Sequence, residues 1–94
     1  MTEIDLTCTP SSIGWACEVT VRTDRETRHR VHATRADLAR LAPGTADPKD
    51  LVRASFDFLL ERESNESILR EFDLSAIGQY FPEYEGEIRH RVAR

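Results

Sequence analysis

The sequence predicts an α+β domain: a three-stranded antiparallel β-meander packed on a buried central helix, with additional short helices. Two observations carry this reading. Residues 4–33 show period-two alternation of apolar and polar side chains in three separate runs, the pattern of half-buried strands. Residues 51–60 then hold a helical run that is apolar over about two-thirds of its circumference, at roughly 100° per residue.

Ile4, Leu6 and Cys8 alternate with Glu3, Asp5 and Thr7, which predicts a first strand. Pro10-Ser11-Ser12-Ile13-Gly14 reads as a turn. Trp15, Cys17, Val19 and Val21 alternate with Ala16, Glu18, Thr20 and Arg22, the strongest strand signal in the chain. A polar hairpin loop over 22–26 leads into His29, Val31 and Ala33, which alternate with Arg28, Arg30 and His32. One face of this meander is expected to pack on the helix and the other to stay wet.

Thr34-Arg35-Ala36-Asp37 has the spacing of a capping box, with Asp in place of Glu, and starts a short helix through Leu38 and Leu41. The central helix starts at Asp47-Pro48-Lys49-Asp50: a capping carboxylate, a proline at the first helical position and an acid near the positive helix end. Its apolar arc runs over Leu51, Val52, Ala54, Ser55, Phe56, Phe58, Leu59 and Leu60, leaving Asp50, Arg53, Asp57 and Glu61 on a narrow wet strip. Arg62 and Glu63 would re-enter the apolar arc, so the helix ends near Glu61–Glu63. Further on, Ser64 to Ser67 caps a short helix carrying Ile68, Leu69 and Phe72, and Asp73 caps another carrying Leu74, Ile77 and Phe81, closed by Pro82. The tail from Arg89 to Arg94 is expected to fray. Ninety-four residues make one domain. It divides into a meander over 1–34, a short helix over 34–42, a helical half over 47–88 and the tail.

Composition narrows the function. With 39% hydrophobic and 32% charged residues the chain is neither disordered nor membrane-spanning, and its N-terminus lacks a signal peptide, so a cytoplasmic location is expected. The net charge of −4 disfavours generic nucleic-acid binding. Lys49 is the only lysine, and the arginines are spread along the chain.

Cys8 and Cys17 both fall on the apolar face and could be cross-strand neighbours. The pair could form a disulfide, a redox pair or half of a zinc site with His29 or His32, or remain two buried thiols. The last is expected, because the location disfavours a disulfide and ligand spacing is missing. Asp57 and Glu61, one turn apart without a histidine in register, read as a solvated face rather than a metal site.

Residues 22–35 hold five arginines and two histidines against two acids. Arg22, Arg28, Arg30 and Arg35 are the candidate nucleic-acid contacts, but no aromatic residue interleaves with them to stack bases. The apolar spacing from Ile68 to Phe81 resembles a helix-turn-helix, yet no Arg or Lys lies between Glu71 and Ile88 to meet phosphates. Four isolated glycines form no phosphate loop, and His29 and His32 lack an identifiable nucleophile beside them, so an enzyme sited there is the third choice. No cofactor or metal is implied. Tyr80, Phe81, Tyr84 and Glu85 cluster around Pro82 and have two readings: an aromatic and acidic docking patch, or rings that close the bottom of the core with their hydroxyls reaching solvent. The expected function is therefore a small protein-interaction or regulatory module, binding another protein or a second copy of itself, with no membrane partner.

Overall fold

The computed structural model describes residues 2–44 and 47–92. Its elements are strands β1 (Glu3–Pro10), β2 (Gly14–Arg22), β3 (Glu26–Thr34) and β4 (Glu71–Asp73), and helices α1 (Arg35–Leu41), α2 (Pro48–Leu60), α3 (Ile77–Tyr80) and α4 (Tyr84–Val92). The class is α+β. The sheet is mixed, however, and runs β1-β2-β3-β4: three antiparallel strands as expected, and a fourth parallel to β3.

The β1–β2 hairpin closes through paired backbone hydrogen bonds between Ser11 and Gly14, at 2.8 and 3.4 Å, leaving a two-residue loop. Gly14 is required there by close approach: a Cβ at this position would stand 2.2 Å from the Ala33 carbonyl oxygen. The register pairs Leu6 with Val19 and Cys8 with Cys17. Cys8 and Cys17 form a disulfide, which corrects the expectation of two buried thiols. Both side chains sit on the apolar face of directly opposed residues, so their sulfurs meet across the ladder.

Cys17, Val19, Val21, Val31 and Ala33 are buried under α2, and so are Leu51, Val52, Phe56, Phe58 and Leu59 on the helix itself. Burial of each such large side chain stabilises by about 1.5–3 kcal/mol. The helix forms where expected: Asp47 accepts a hydrogen bond from the Lys49 amide at 2.9 Å and Pro48 takes the first position. Asp50, Arg53, Asp57 and Glu61 stay exposed. Partial desolvation raises the Asp57 carboxyl above its usual range, with Arg53 and Arg91 opposing the shift. The helix ends at Leu60, where Arg62 lies 3.6 Å over the Phe58 ring. The capping box of α1 is complete: Thr34 Oγ1 accepts from the Asp37 amide at 2.9 Å and Asp37 accepts from the Thr34 amide at 3.0 Å.

Two C-terminal expectations need correction. No helix carries Ile68, Leu69 and Phe72; a 3-10 turn over Asn65–Ser67 leads into β4 instead. The open edge of β3 recruits this segment, with the Arg30 amide donating to the Arg70 carbonyl at 2.6 Å. His29 reinforces the pairing. Its Nδ1–H donates to the Leu69 carbonyl at 2.8 Å while Nε2 accepts from the Thr27 hydroxyl at 2.9 Å. Asn65, itself buried, donates to Thr27 Oγ1 at 2.9 Å and to the Arg25 carbonyl at 3.1 Å. This polar chain pins the 65–70 segment to the β2–β3 hairpin, and gives His29 a structural role.

The second correction concerns the tail. Arg89 to Val92 do not fray but complete α4, whose Tyr84 and Ile88 are buried. Arg91 fastens the helix through Glu61 at 2.7 Å and Glu87 at 3.3 Å. Ala93 and Arg94 lie outside the described residues. The next helix does begin after Asp73, as a 3-10 turn over Leu74–Ala76 running into α3, but the Asp73 side chain accepts no capping hydrogen bond. Phe81 is extended before Pro82 and ends α3 as expected.

Candidate docking groove

Three elements that meet at the β4 edge of the sheet build an apolar groove. The end of α2 contributes Leu59, the turn and β4 contribute Ile68, Leu69 and Phe72, and α3 contributes Ile77, Tyr80 and Phe81. The groove encloses about 380 Å³, with Glu63 and Ser67 as the polar side chains on its wall. Leu59, Ile68 and Ile77 are core residues that form its floor. Leu69 and Tyr80 are 55% and 70% exposed. Phe81 is half-buried because its ring packs edge-on against Phe58 at 5.8 Å.

Tyr80 and Phe81 therefore share one surface. Tyr84 does not join them. It is 1% exposed, faces the core from the first turn of α4 and packs against Phe58 at 5.4 Å. Its hydroxyl lies 2.7 Å from Ser55 Oγ. Desolvation pushes the phenol well above its ordinary range, opposed by the Ser55 hydrogen bond. The placement of Tyr84 on a docking patch is thereby corrected: Tyr84, Ile88 and Val92 recur every four residues, and that spacing turns Tyr84 inward. Glu85 is also engaged elsewhere, bridging Arg40 at 3.4 Å and Arg89 at 3.6 Å to tie α1 to α4. Ile68, Leu69 and Phe72 reach the groove from a segment whose apolar spacing predicts a helix, although Glu71-Phe72-Asp73 carries one polar-apolar-polar repeat. Three residues are too short a run for that signal to register.

The open face of the sheet has a different character. Arg22, Arg28 and Arg30 do lie together on it, alongside His32, because they occupy alternate positions of paired strands. Carboxylates interleave with them. Arg22 pairs with Asp5 and with Glu26 at 3.0 Å, Arg28 with Glu26 at 3.6 Å, and Arg30 with Glu18 at 2.8 Å. Glu71 from β4 reaches His32 Nε2 at 2.7 Å, and that hydrogen bond holds its carboxyl below the usual glutamate range. Arg35 stands apart at the start of α1, 5.8 Å from the centre of the Trp15 ring. A phosphate backbone would meet this face as a mixed-charge lattice, not as a cationic stripe. His29 and His32 point to opposite faces of β3, so they do not converge on one site.

Chemically, the groove offers shape and apolar contact, with no nucleophile–base pair on its wall. Among the described residues no three His, Cys, Asp or Glu side chains gather as metal ligands. Nor is any helix there long and apolar enough to cross a membrane. No family model, curated protein or solved structure matches this chain.

Proposed function

We propose that this chain is a small protein-interaction module that receives an apolar segment of another protein in the groove between β4 and α3. One observation carries the reading. Among the described residues the large exposed apolar side chains are Ile13, Leu69 and Tyr80, and the last two line the same groove. A single exposed apolar residue is ordinary on a protein surface, whereas two flanking an apolar floor form a contiguous patch of the kind used for recognition. Tyrosine suits the rim of such a site because its ring offers broad contact area at low conformational cost. The occupant is a segment presenting one or two large apolar side chains.

The compartment bears on the chemistry of β1 and β2. In the cytoplasm Cys8 and Cys17 would be held as thiols; in an oxidising compartment they would persist as the disulfide.

The test compares the native chain with Leu69→Ser/Tyr80→Ser. Both positions are exposed, so circular dichroism and thermal melting should be unchanged. Capture of a stoichiometric protein partner from the host lysate should fall at least about ten-fold, the loss expected when an aromatic anchor and its apolar neighbour are truncated together. Equal capture by both proteins, with both folded, would remove the groove from the function.

A further inference from the structure

The other edge of the sheet carries its own instruction. The strand order places β1 outermost, and among the described residues no strand covers its outer side. The Ser11–Gly14 closure fixes which backbone groups face outward. Ladder bonds alternate along an antiparallel pair, so Thr9, Thr7, Asp5 and Glu3 bond to β2, and Cys8, Leu6 and Ile4 turn their N–H and C=O groups away from it. The 4.0 Å Cα separation of Cys8 and Cys17 agrees, since narrow pairs are the non-hydrogen-bonded ones.

We propose that a second copy of this chain pairs antiparallel with β1 about a two-fold axis at Leu6, joining the two sheets into one. The register follows from charge. Centred on Leu6, Ile4 lies opposite Cys8 of the second copy, Asp5 opposite Thr7 and Glu3 opposite Thr9. Every outward N–H and C=O from Ile4 to Cys8 finds a partner, apolar faces apolar, and no acid faces an acid. Moving the axis to Ile4 sets Glu3 against Asp5, and moving it to Asp5 sets that residue against itself; both are destabilising cross-strand pairs. Moving it to Thr7 sets Ile4 against Pro10, and moving it to Cys8 sets Leu6 against Pro10, a residue with no N–H to give. Leu6 is the centre that keeps the acids apart and confines Pro10 to the end of the pairing, opposite Thr2 outside β1.

The half-buried Ile4, Leu6 and Cys8 side chains extend the apolar layer to this edge, where a second copy would complete their burial. The described contact to these outward groups is a 3.3 Å approach of Arg53 Nη2 to the Ile4 carbonyl. It comes from an exposed side chain that the pairing strand displaces. Because the groove lies by β4 at the opposite edge, the dimer would present two grooves at the ends of an eight-stranded sheet and bind a repeated partner with avidity.

Thr9 tests this. It is exposed and sits opposite Ala16 in β2, so charge there leaves the single chain's ladder unchanged. Sedimentation equilibrium on the native chain, at low salt and from micromolar to about millimolar concentration, should show a monomer–dimer equilibrium. Thr9→Glu would face Glu3 twice per dimer and raise the dissociation constant about five-fold, and Thr9→Lys would lower it by a similar factor. A monomer throughout the range, or a dimer indifferent to both substitutions, overturns the proposal. A dimer that ignores Thr9 but is lost in Leu69→Ser/Tyr80→Ser would put the second copy in the groove instead. Partner capture that persists in a strictly monomeric protein would sink the edge pairing while leaving the groove reading intact.

Discussion

The Tyr84 hydroxyl donates a hydrogen bond to Ser55 Oγ across 2.7 Å, in the buried contact between α2 and α4. The direction is set by Ser55, whose single proton goes to the Leu51 carbonyl at 2.8 Å and leaves its oxygen free to accept. Two polar groups are thus buried in the core without an unmet donor, and α4 is oriented against α2 by more than apolar contact.

Removing either hydroxyl has a different cost. Tyr84→Phe deletes a donor and leaves Ser55 bonded to Leu51, so it should destabilise by about 1 kcal/mol. Ser55→Ala strands the buried phenol and should cost about 1–3 kcal/mol. Because the groups act as a pair, the double variant should cost less than the sum. Urea denaturation of the four proteins measures the coupling; strict additivity would mean that the two hydroxyls do not communicate.

The Cys8–Cys17 bond closes a short loop, with a sequence separation of 9. Loop-closure entropy assigns such a cross-link about 2–3 kcal/mol. The oxidised chain should be lighter than the reduced one by two hydrogens in intact mass. Denaturant titrations with and without reductant should differ by that amount, and unchanged stability on reduction would contradict the entropic account.

Asn65 is the junction between the β2–β3 hairpin and the segment leading to β4. Asn65→Ala removes two hydrogen bonds, one to Thr27 Oγ1 and one to the Arg25 carbonyl, an expected loss of about 1–3 kcal/mol. Hydrogen exchange should report it locally: amides of residues 65–73 accelerate, and those of the β1–β2 ladder change only as far as global stability does. A uniform acceleration would show that β4 unfolds only with the whole sheet.

Acid should weaken the fold through its exposed carboxylates. Hydrogen bonds from Arg91 and His32 hold Glu61 and Glu71 below the ordinary glutamate range, and its own backbone amide, then Arg62, does the same for Glu83. A depressed folded-state value means stability that is present above the unfolded value of about 4.3 and lost as the pH falls through the folded values. The melting temperature should therefore decline as the pH drops below about 4.3. Glu71→Gln should flatten that decline, and an unchanged profile would show that the His32 contact is not formed in solution.

The alternation of Trp15 to Arg22, the capping box at Thr34 and Asp37, the Asp47-Pro48 helix start and the apolar arc of α2 were legible in the chain itself. Each rests on interactions between residues a few positions apart, or on one element's pattern of burial. The clustering of Arg22, Arg28 and Arg30 was legible for the same reason. Their neutralisation was not, since Asp5 and Glu18 become neighbours only through strand register. Tyr80 and Phe81 could be picked out as an aromatic pair, but the groove needed Leu69 and Phe72 from a segment whose apolar spacing suits a helix equally well.

Strand alternation, helix starts and stops, and the depth of α2 in the core are therefore local properties of the chain. The tertiary structure decided the rest. It brought residues 71–73 to the open edge of β3, where backbone groups of the sheet needed partners that helical spacing cannot announce. It set the Tyr84 hydroxyl against Ser55 in the core, and brought Cys8 against Cys17 through a two-residue hairpin. Each outcome depends on what stands opposite a residue in space, and that is settled only when the elements pack together.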